Sequence, residues 1–400
     1  MIQTAAAVAI FAATYAVVAA GRVPGLRIDR AGVAFLGAAL MVASGALTLD
    51  QAYAAIDFDT IALLLGMMVV VANLRLSGFF GLVTAWVVGR ARHPLPLLVG
   101  IVLVSGVLSA FLVNDTICLV LTPLVLDIVL HLRRNPVPYV VAIALASNVG
   151  STATITGNPQ NMIIGSLSHI PYGTFAAALA PVAATGLVLT VLLVALIWRR
   201  EFRRDARLQA APPPVRVNKP LLTKTLLVTA ALVAAFFAGI RPAEAALVAG
   251  ALLLPSRRVK VHRMYDEIDW TLLLMFAGLF VVVAGLEHRV LTPDLVGRIH
   301  LGSMPLLALV TAALSNIVSN VPAVLVLKPF VAALPDPARA WTVVAMASTL
   351  AGNFSIVGSV ANLIVVQRAR ARGVTIRFWT YFAAGAPLTV LTILAGLALL

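Results

Sequence analysis

Four short polar stretches interrupt otherwise apolar sequence, and they hold the side chains able to bind or move an ion. The first is Val113-Asn114-Asp115-Thr116 and the second Ser319-Asn320-Val321-Pro322. The third runs through Ser147, Asn148, Gly150, Ser151 and Thr152, then Gly157, Asn158 and Pro159, with Asn161 just beyond. The fourth contains Gly352-Asn353 and Gly358, with Asn362 just beyond. Unpaired polar groups are costly at membrane depth, so breaks of this kind mark function. Candidate solute and ion ligands are therefore Asn114, Asp115, Thr116, Asn148, Gly150, Ser151, Thr152, Gly157, Asn158, Asn161, Ser319, Asn320, Gly352, Asn353, Gly358 and Asn362. Each break should begin a half-helix: Pro159 and Pro322 suit a first turn, and Asn114, Asn158 and Ser319 suit caps. Four helix N-termini meeting near the midplane would offer free N–H groups and positive dipole ends to an anion or polar solute. Unwound carbonyls near Asn148–Gly150 and Ala351–Asn353 are candidate Na⁺ ligands, and a Na⁺ position near Asn114, Asp115, Asn148 and Gly150 is the one expected.

Asp115 is the one acid expected firmly at membrane depth. It reads as a proton carrier or cation ligand, with a tip cap that only satisfies backbone N–H groups as the structural alternative. Lys328 should snorkel to the surface rather than pair with the tip. The lone Cys118 excludes an intrachain disulfide or a multi-thiolate site and reads as packing. The six histidines, His300 included, lie in or beside loops without HExxH-type spacing, so no resident metal is expected. No nucleophile–base pair lies at depth, and no GxxxxGK[ST] is present, so neither an enzyme nor direct ATP drive is expected.

The elements that must position these residues are membrane helices. Of 400 residues 61% are hydrophobic and 11% charged, a balance that needs lipid as solvent. Ten apolar runs read as crossings: 2–20, 31–49, 58–76, 138–165, 173–198, 221–240, 243–255, 268–286, 339–366 and 378–399. The first lacks a basic segment before it and reads as a membrane helix with its N-terminus outside rather than a signal peptide. Segments 94–131 and 303–335 read as re-entrant hairpins. Arms of about fifteen residues reach roughly 22 Å, short of a core of roughly 30 Å. Segment 78–92 reads as an interfacial helix with Trp86 at the headgroups.

The net charge of +14 sits in short clusters between apolar runs, as in cytoplasmic loops, so nucleic acid is excluded as a partner. With the 199–220 linker inside, inside segments hold 24 of the 29 Lys and Arg, including Arg22, Arg27, Arg30, Arg75, Arg257 and Arg258. Outside segments hold Arg241, Arg289, Arg298 and Arg339. The layout places the chain in the cytoplasmic (inner) membrane with both termini outside.

Three pieces of the first half recur in the second. The run from Ile56 matches that from Ile268, with Asp57 on Asp269 and Gly66 on Gly278. The run from Ser109 matches that from Ser315, with Asn114 on Asn320 and Pro123 on Pro329. The run from Val140 matches that from Trp341, with Gly157 on Gly358 and Asn161 on Asn362. Each copy has five crossings, an odd number, so the second is inverted. The expected fold is an all-α polytopic membrane protein of two inverted five-helix repeats, 1–198 and 221–400, each with a hairpin and a broken helix.

SGFF (77–80), NDTICLVLTPLV (114–125), GSTATITGNPQNMIIG (150–165), SNIVSNVPAVLVL (315–327) and GSVANLIV (358–365) resemble the ion transporter superfamily. That group takes in ArsB-type arsenite permeases, NhaD-type antiporters, citrate permeases and divalent anion/sodium symporters. The resemblance implies a mobile transport domain of hairpins and broken crossings, a scaffold that forms a homodimer, and elevator-like motion. The Asn-Asp-Thr tip resembles the arsenite branch and GNPQN the anion permeases. Symporters of dicarboxylates carry Ser-Asn-Thr at both tips, a pattern absent here. The leading expectation is coupled movement of a small anion or oxyacid, with H⁺ or Na⁺ as the coupling ion and no other cofactor. Na⁺/H⁺ antiport through Asp115 is the first alternative and a passive channel the second.

Overall fold

The computed structural model describes residues 2–20, 28–202, 215–255, 260–291 and 301–400. Linker residues 203–214, Arg22, Arg27, Arg257, Arg258, Arg298 and His300 lie outside the described residues. Among the described residues every regular element is helical. The first series is α1 (Ile2–Ala20), α2 (Arg30–Ala43), α3 (Leu49–Ala55), α4 (Phe58–Ser77), α5 (Phe79–Arg90), α6 (Pro94–Phe111), α7 (Asn114–His131), α8 (Pro136–Ser151), α9 (Pro159–Ser168) and α10 (Tyr172–Ile197). The second is α11 (Lys219–Phe237), α12 (Pro242–Leu253), α13 (Val261–Tyr265), α14 (Trp270–Arg289), α15 (Met304–Val318), α16 (Asn320–Ala332), α17 (Pro337–Ala351), α18 (Val360–Ala371) and α19 (Phe378–Leu399). The chain is a polytopic membrane protein of two inverted repeats, each with a hairpin (α6–α7, α15–α16) and a broken helix (α8–α9, α17–α18).

The landmarks that aligned the two halves now have physical reasons. Asp57 and Asp269 are N-caps, accepting from the backbone N–H groups of Thr60 at 3.2 Å and Leu272 at 2.9 Å. They start α4 and α14 in the same register. Gly66 and Gly278 let these helices touch helices of the other repeat, α4 on α12 and α14 on α2. A Cβ on Gly66 would overlap the Ala246 backbone, and one on Gly278 would lie 2.6 Å from the Ala34 carbonyl carbon. Residues 34 and 246 are themselves repeat mates, so both contacts are one contact used twice. Small residues at crossings are how membrane helices gain close van der Waals packing.

The helices differ from the expected spans in two ways. The run 31–49 is helical only over 14 residues, and α12 spans only 12. After α2 the chain turns at Gly45, with φ 71°, and Thr48 begins α3 with a capping box to Gln51. The arms of the first hairpin are 18 residues each, roughly 27 Å, rather than fifteen. Arm length therefore does not establish re-entry for the first hairpin, whereas the second keeps short arms of 15 and 13 residues. Depth is fixed by the tip, whose Asn114 is bonded to Asn148 in the last turn of α8, beside the break between α8 and α9.

Gly66→Leu should force α4 from α12 and lower the thermal midpoint of the detergent-solubilised protein, a cost of about 3 kcal/mol or more. Gly302→Ala, which meets nothing within 4 Å, should leave it unchanged. Fluorescence-detected size-exclusion after heating reads both.

Candidate functional site

The two broken helices are held to each other by buried side chains. Asn148 donates to Asn353 Oδ1 at 2.9 Å and Asn362 Oδ1 at 3.0 Å. Its own Oδ1 accepts from Asn114 at 3.1 Å and from Ser359 at 3.2 Å. Thr349, the repeat mate of Asn148, does the reverse. Its hydroxyl accepts from Asn158 and Gln160 at 3.2 Å each and donates to Asn161 Oδ1 at 3.4 Å. Each break thus docks on the polar residue of the other repeat.

Within each break an asparagine satisfies the unwound carbonyls. Asn161 donates to the carbonyls of Ser151 at 3.2 Å and Thr154 at 2.9 Å. Asn362 donates to those of Gly352 at 2.7 Å and Ser355 at 2.9 Å. These four carbonyls are repeat mates in pairs. The Asn148 carbonyl accepts from Ser151 at 2.8 Å and Thr152 at 3.2 Å. Of the carbonyls expected to face Na⁺, those of Asn148, Val149, Gly150, Ala351 and Gly352 already have donors. Gly157 and Gly358 sit over the carbonyls of Ser151 and Gly352, and Gly150 sits against Gly106, where Cβ atoms would collide.

Four helix starts do meet: α7, α9, α16 and α18. Asn158 caps α9, accepting from the Asn161 backbone N–H at 2.9 Å. Asn114 is not a cap. Val113 holds that position, and the Asn114 side chain reaches across to Asn148 instead. Ser319 is the N-cap residue of α16 but makes no capping bond, and its φ of 80° lies in the region favoured by glycine.

These starts surround a cavity of about 50 Å³. Of the candidate residues, Asn114, Asp115, Ser319 and Asn320 line it. Asn148, Ser151, Thr152, Asn158, Asn161, Asn353 and Asn362 lie behind it in the buried hydrogen-bond lattice, and Thr116 is half-buried in the first turn of α7. Arg30, Gln160, Ser359, Val321 and Pro322 also line the cavity, with Met275 and Phe276 as apolar wall. Gln160 had a signal in the Gly-Asn-Pro-Gln-Asn run, and Ser359 is the repeat mate of Asn158. Arg30 had none, since its neighbours in sequence read as a charged loop. Asp115 has no ion-pair partner among the described residues, and Asn114 Oδ1 is a buried acceptor without a donor there. Lys328 does not pair with the tip: its side chain is part-exposed and its ammonium lies 3.3 Å from Glu287, tying α16 to α14.

Residues 15–351 match the family model described as citrate transporter, CitMHS. The chain belongs to that family. An uncharacterized transporter of Mycobacterium tuberculosis is 33% identical over 97% of this chain and 96% of its own length. A silicon efflux transporter of Oryza sativa subsp. japonica is 28% identical over 94% and 93%. The YdaH transporter of Alcanivorax borkumensis, whose crystal structure has an unusual topology, superposes with a TM-score of 0.61 at 13% identity, covering 100% of this chain and 97% of that one. It shares the fold. This member of the citrate transporter family is a membrane transporter, and its interrupted helices are the part a lipid-facing helix would not need.

Asn148→Ala should leave Asn114, Asn353, Asn362 and Ser359 short of partners and cost about 3 kcal/mol. The thermal midpoint should fall further than in Thr349→Val, whose asparagine partners keep other bonds. Ser319→Gly should raise the midpoint, by about 1 kcal/mol of released backbone strain.

Proposed function

We propose that the protein is a secondary active, elevator-type permease that carries a small oxyacid or anion coupled to H⁺ or Na⁺. The observation that carries this reading is the cavity between the four helix starts. It joins the Asp115 carboxylate, which has no ion-pair partner among the described residues, to Arg30 and to polar residues of both tips and both breaks. N–H groups, hydroxyls and a guanidinium are donors for oxygens of a solute. An acceptor carboxylate in the same space is a place for a proton or a Na⁺.

Size argues for the substrate class. A cavity of about 50 Å³ holds a solute of a few heavy atoms, given that one water needs about 10–15 Å³ of the same measure. A tricarboxylate such as citrate does not fit it without opening. A compact oxyacid does, and the rice relative is named a silicon efflux transporter. The buried Asn114 Oδ1, without a donor among the described residues, favours a second reading, Na⁺/H⁺ antiport, in which that oxygen and Asp115 hold the cation directly.

In the elevator reading the hairpins and broken helices move with α10 and α19 against a scaffold of the remaining helices. The Lys328–Glu287 pair is then a contact between moving and fixed parts. The scaffold pairs with a second copy, and the chain lies in the cytoplasmic membrane with both termini outside, the side on which Lys and Arg are few.

In proteoliposomes, Asp115→Asn should abolish coupled flux while its thermal midpoint stays within a few degrees of the parent. Unchanged coupled flux in that variant rejects the assignment. Internal pH followed after adding Na⁺ or Li⁺, with no oxyacid present, separates the readings. A pH change that Asp115→Asn removes would select antiport. Lys328→Met should alter the transport rate without altering solute affinity, because its pair lies away from the tip cavity.

A further inference from the structure

A second cavity is too large and too greasy for the solute. It measures about 790 Å³, against about 50 Å³ at the tips, and lies between α5, the return arm α7 and the start of the segment leading into α11. Its walls are apolar side chains, among them Phe80, Val88, Val120, Leu124 and Ile128. Thr84 leaves no polar demand there, since its hydroxyl donates to the Phe80 carbonyl at 2.7 Å. Its rim is basic and is formed where α4, α7 and α18 end. Arg75, Arg216 and Arg368 stand on it with His131.

The charges on that rim do not cancel. Among the described residues Asp127 is the one acid lining the cavity, and it is ion-paired with Arg372. Arg75 is ion-paired with Glu267. Arg216 and Arg368 have no acidic partner among the described residues. Nearby, the Arg90 guanidinium lies 4.3 Å from the Trp86 ring centre at the end of α5, and Trp86 is exposed. An exposed Trp beside an Arg is the signature of the membrane–water boundary, so the rim lies at headgroup level and the apolar walls below it.

We propose that this cavity binds one anionic phospholipid, its phosphate between Arg216 and Arg368 and an acyl chain along the crevice of α5 and α7. Guanidinium groups take phosphate oxygens in pairs, and the walls offer nothing to a polar solute. A zwitterionic lipid matches the walls but not the surplus charge. A free anion matches the charge but leaves the walls uncovered.

The full chain, delipidated in detergent, is titrated with phosphatidylglycerol, with phosphatidylcholine of the same acyl chains, and with glycerol phosphate. Bound lipid is counted by native mass spectrometry and stability by thermal shift. Phosphatidylglycerol should bind one molecule tightly and raise the midpoint, and the other two should not. Arg216→Ala combined with Arg368→Ala should weaken that binding about 30-fold, from two basic contacts at about tenfold or less each. Ala85→Phe, which fills the wall, should abolish the tight site with the arginines intact. Arg377→Ala, an exposed arginine away from the rim, is the control and should bind as the parent does. Equal shifts with phosphatidylcholine, an equal shift with glycerol phosphate, or unaltered binding in both cavity variants would overturn the proposal.

Discussion

The structure depends on one constraint: a helix broken inside a bilayer must find protein partners for every backbone group it frees, because lipid supplies none. This chain breaks two helices and meets the constraint twice with the same device. Asn161 and Asn362 each turn an amide toward two unwound carbonyls of their own break. Asn148 and Thr349 then tie each break to the opposite repeat. Removing lipid-incompatible groups from lipid thus also locks the two repeats together. The same atoms that make the breaks tolerable make the two-fold arrangement obligatory.

Packing outside the breaks repeats that logic in apolar form. The Gly66–Ala246 and Gly278–Ala34 approaches bring each long helix, α4 and α14, against a short helix of the other copy. Neither repeat has its full set of contacts alone. Most buried polar groups at the centre of a chain organised this way are paired, so the unpaired ones where helix starts meet carry information. Asp115 and the Asn114 Oδ1 are two of them, and both lie where the helix starts meet.

Much of this was legible in the sequence because it follows from local chemistry repeated at fixed offsets. Asp57 and Asp269, Gly66 and Gly278, and Asn161 and Asn362 align since each pair performs one job twice. The breaks showed as polar residues where apolar ones were expected. What stayed hidden was tertiary. No local feature of Arg30 says that it reaches the tip cavity, and its neighbours read as a charged loop. Nor does local sequence separate a ligand from a strut: Asn148 and Asn353 look like binding residues, yet their side chains are bonded within the lattice. Helix lengths were misjudged where a cap decided them, as at Thr48, or where an arm ran past its apolar core, as in α7.

The repeats are equivalent in their struts and unequal at their tips, and that inequality has consequences. Asp115 and Val321 are mates, and both face the same cavity, so one tip brings a carboxylate where the other brings a methyl surface. Val113 and Ser319 are mates too, but only Ser319 holds a strained backbone, with φ of 80°. Strain of about 1–3 kcal/mol survives only where surrounding packing enforces it. The Tyr15 hydroxyl, from α1 rather than from either hairpin, lies 3.4 Å from the Pro322 carbonyl three residues on. The first tip therefore supplies the charge, while the second holds the strained residue. Under the proposed reading, the two tips cannot respond alike to one bound ion, and that difference would give the cavity between them direction.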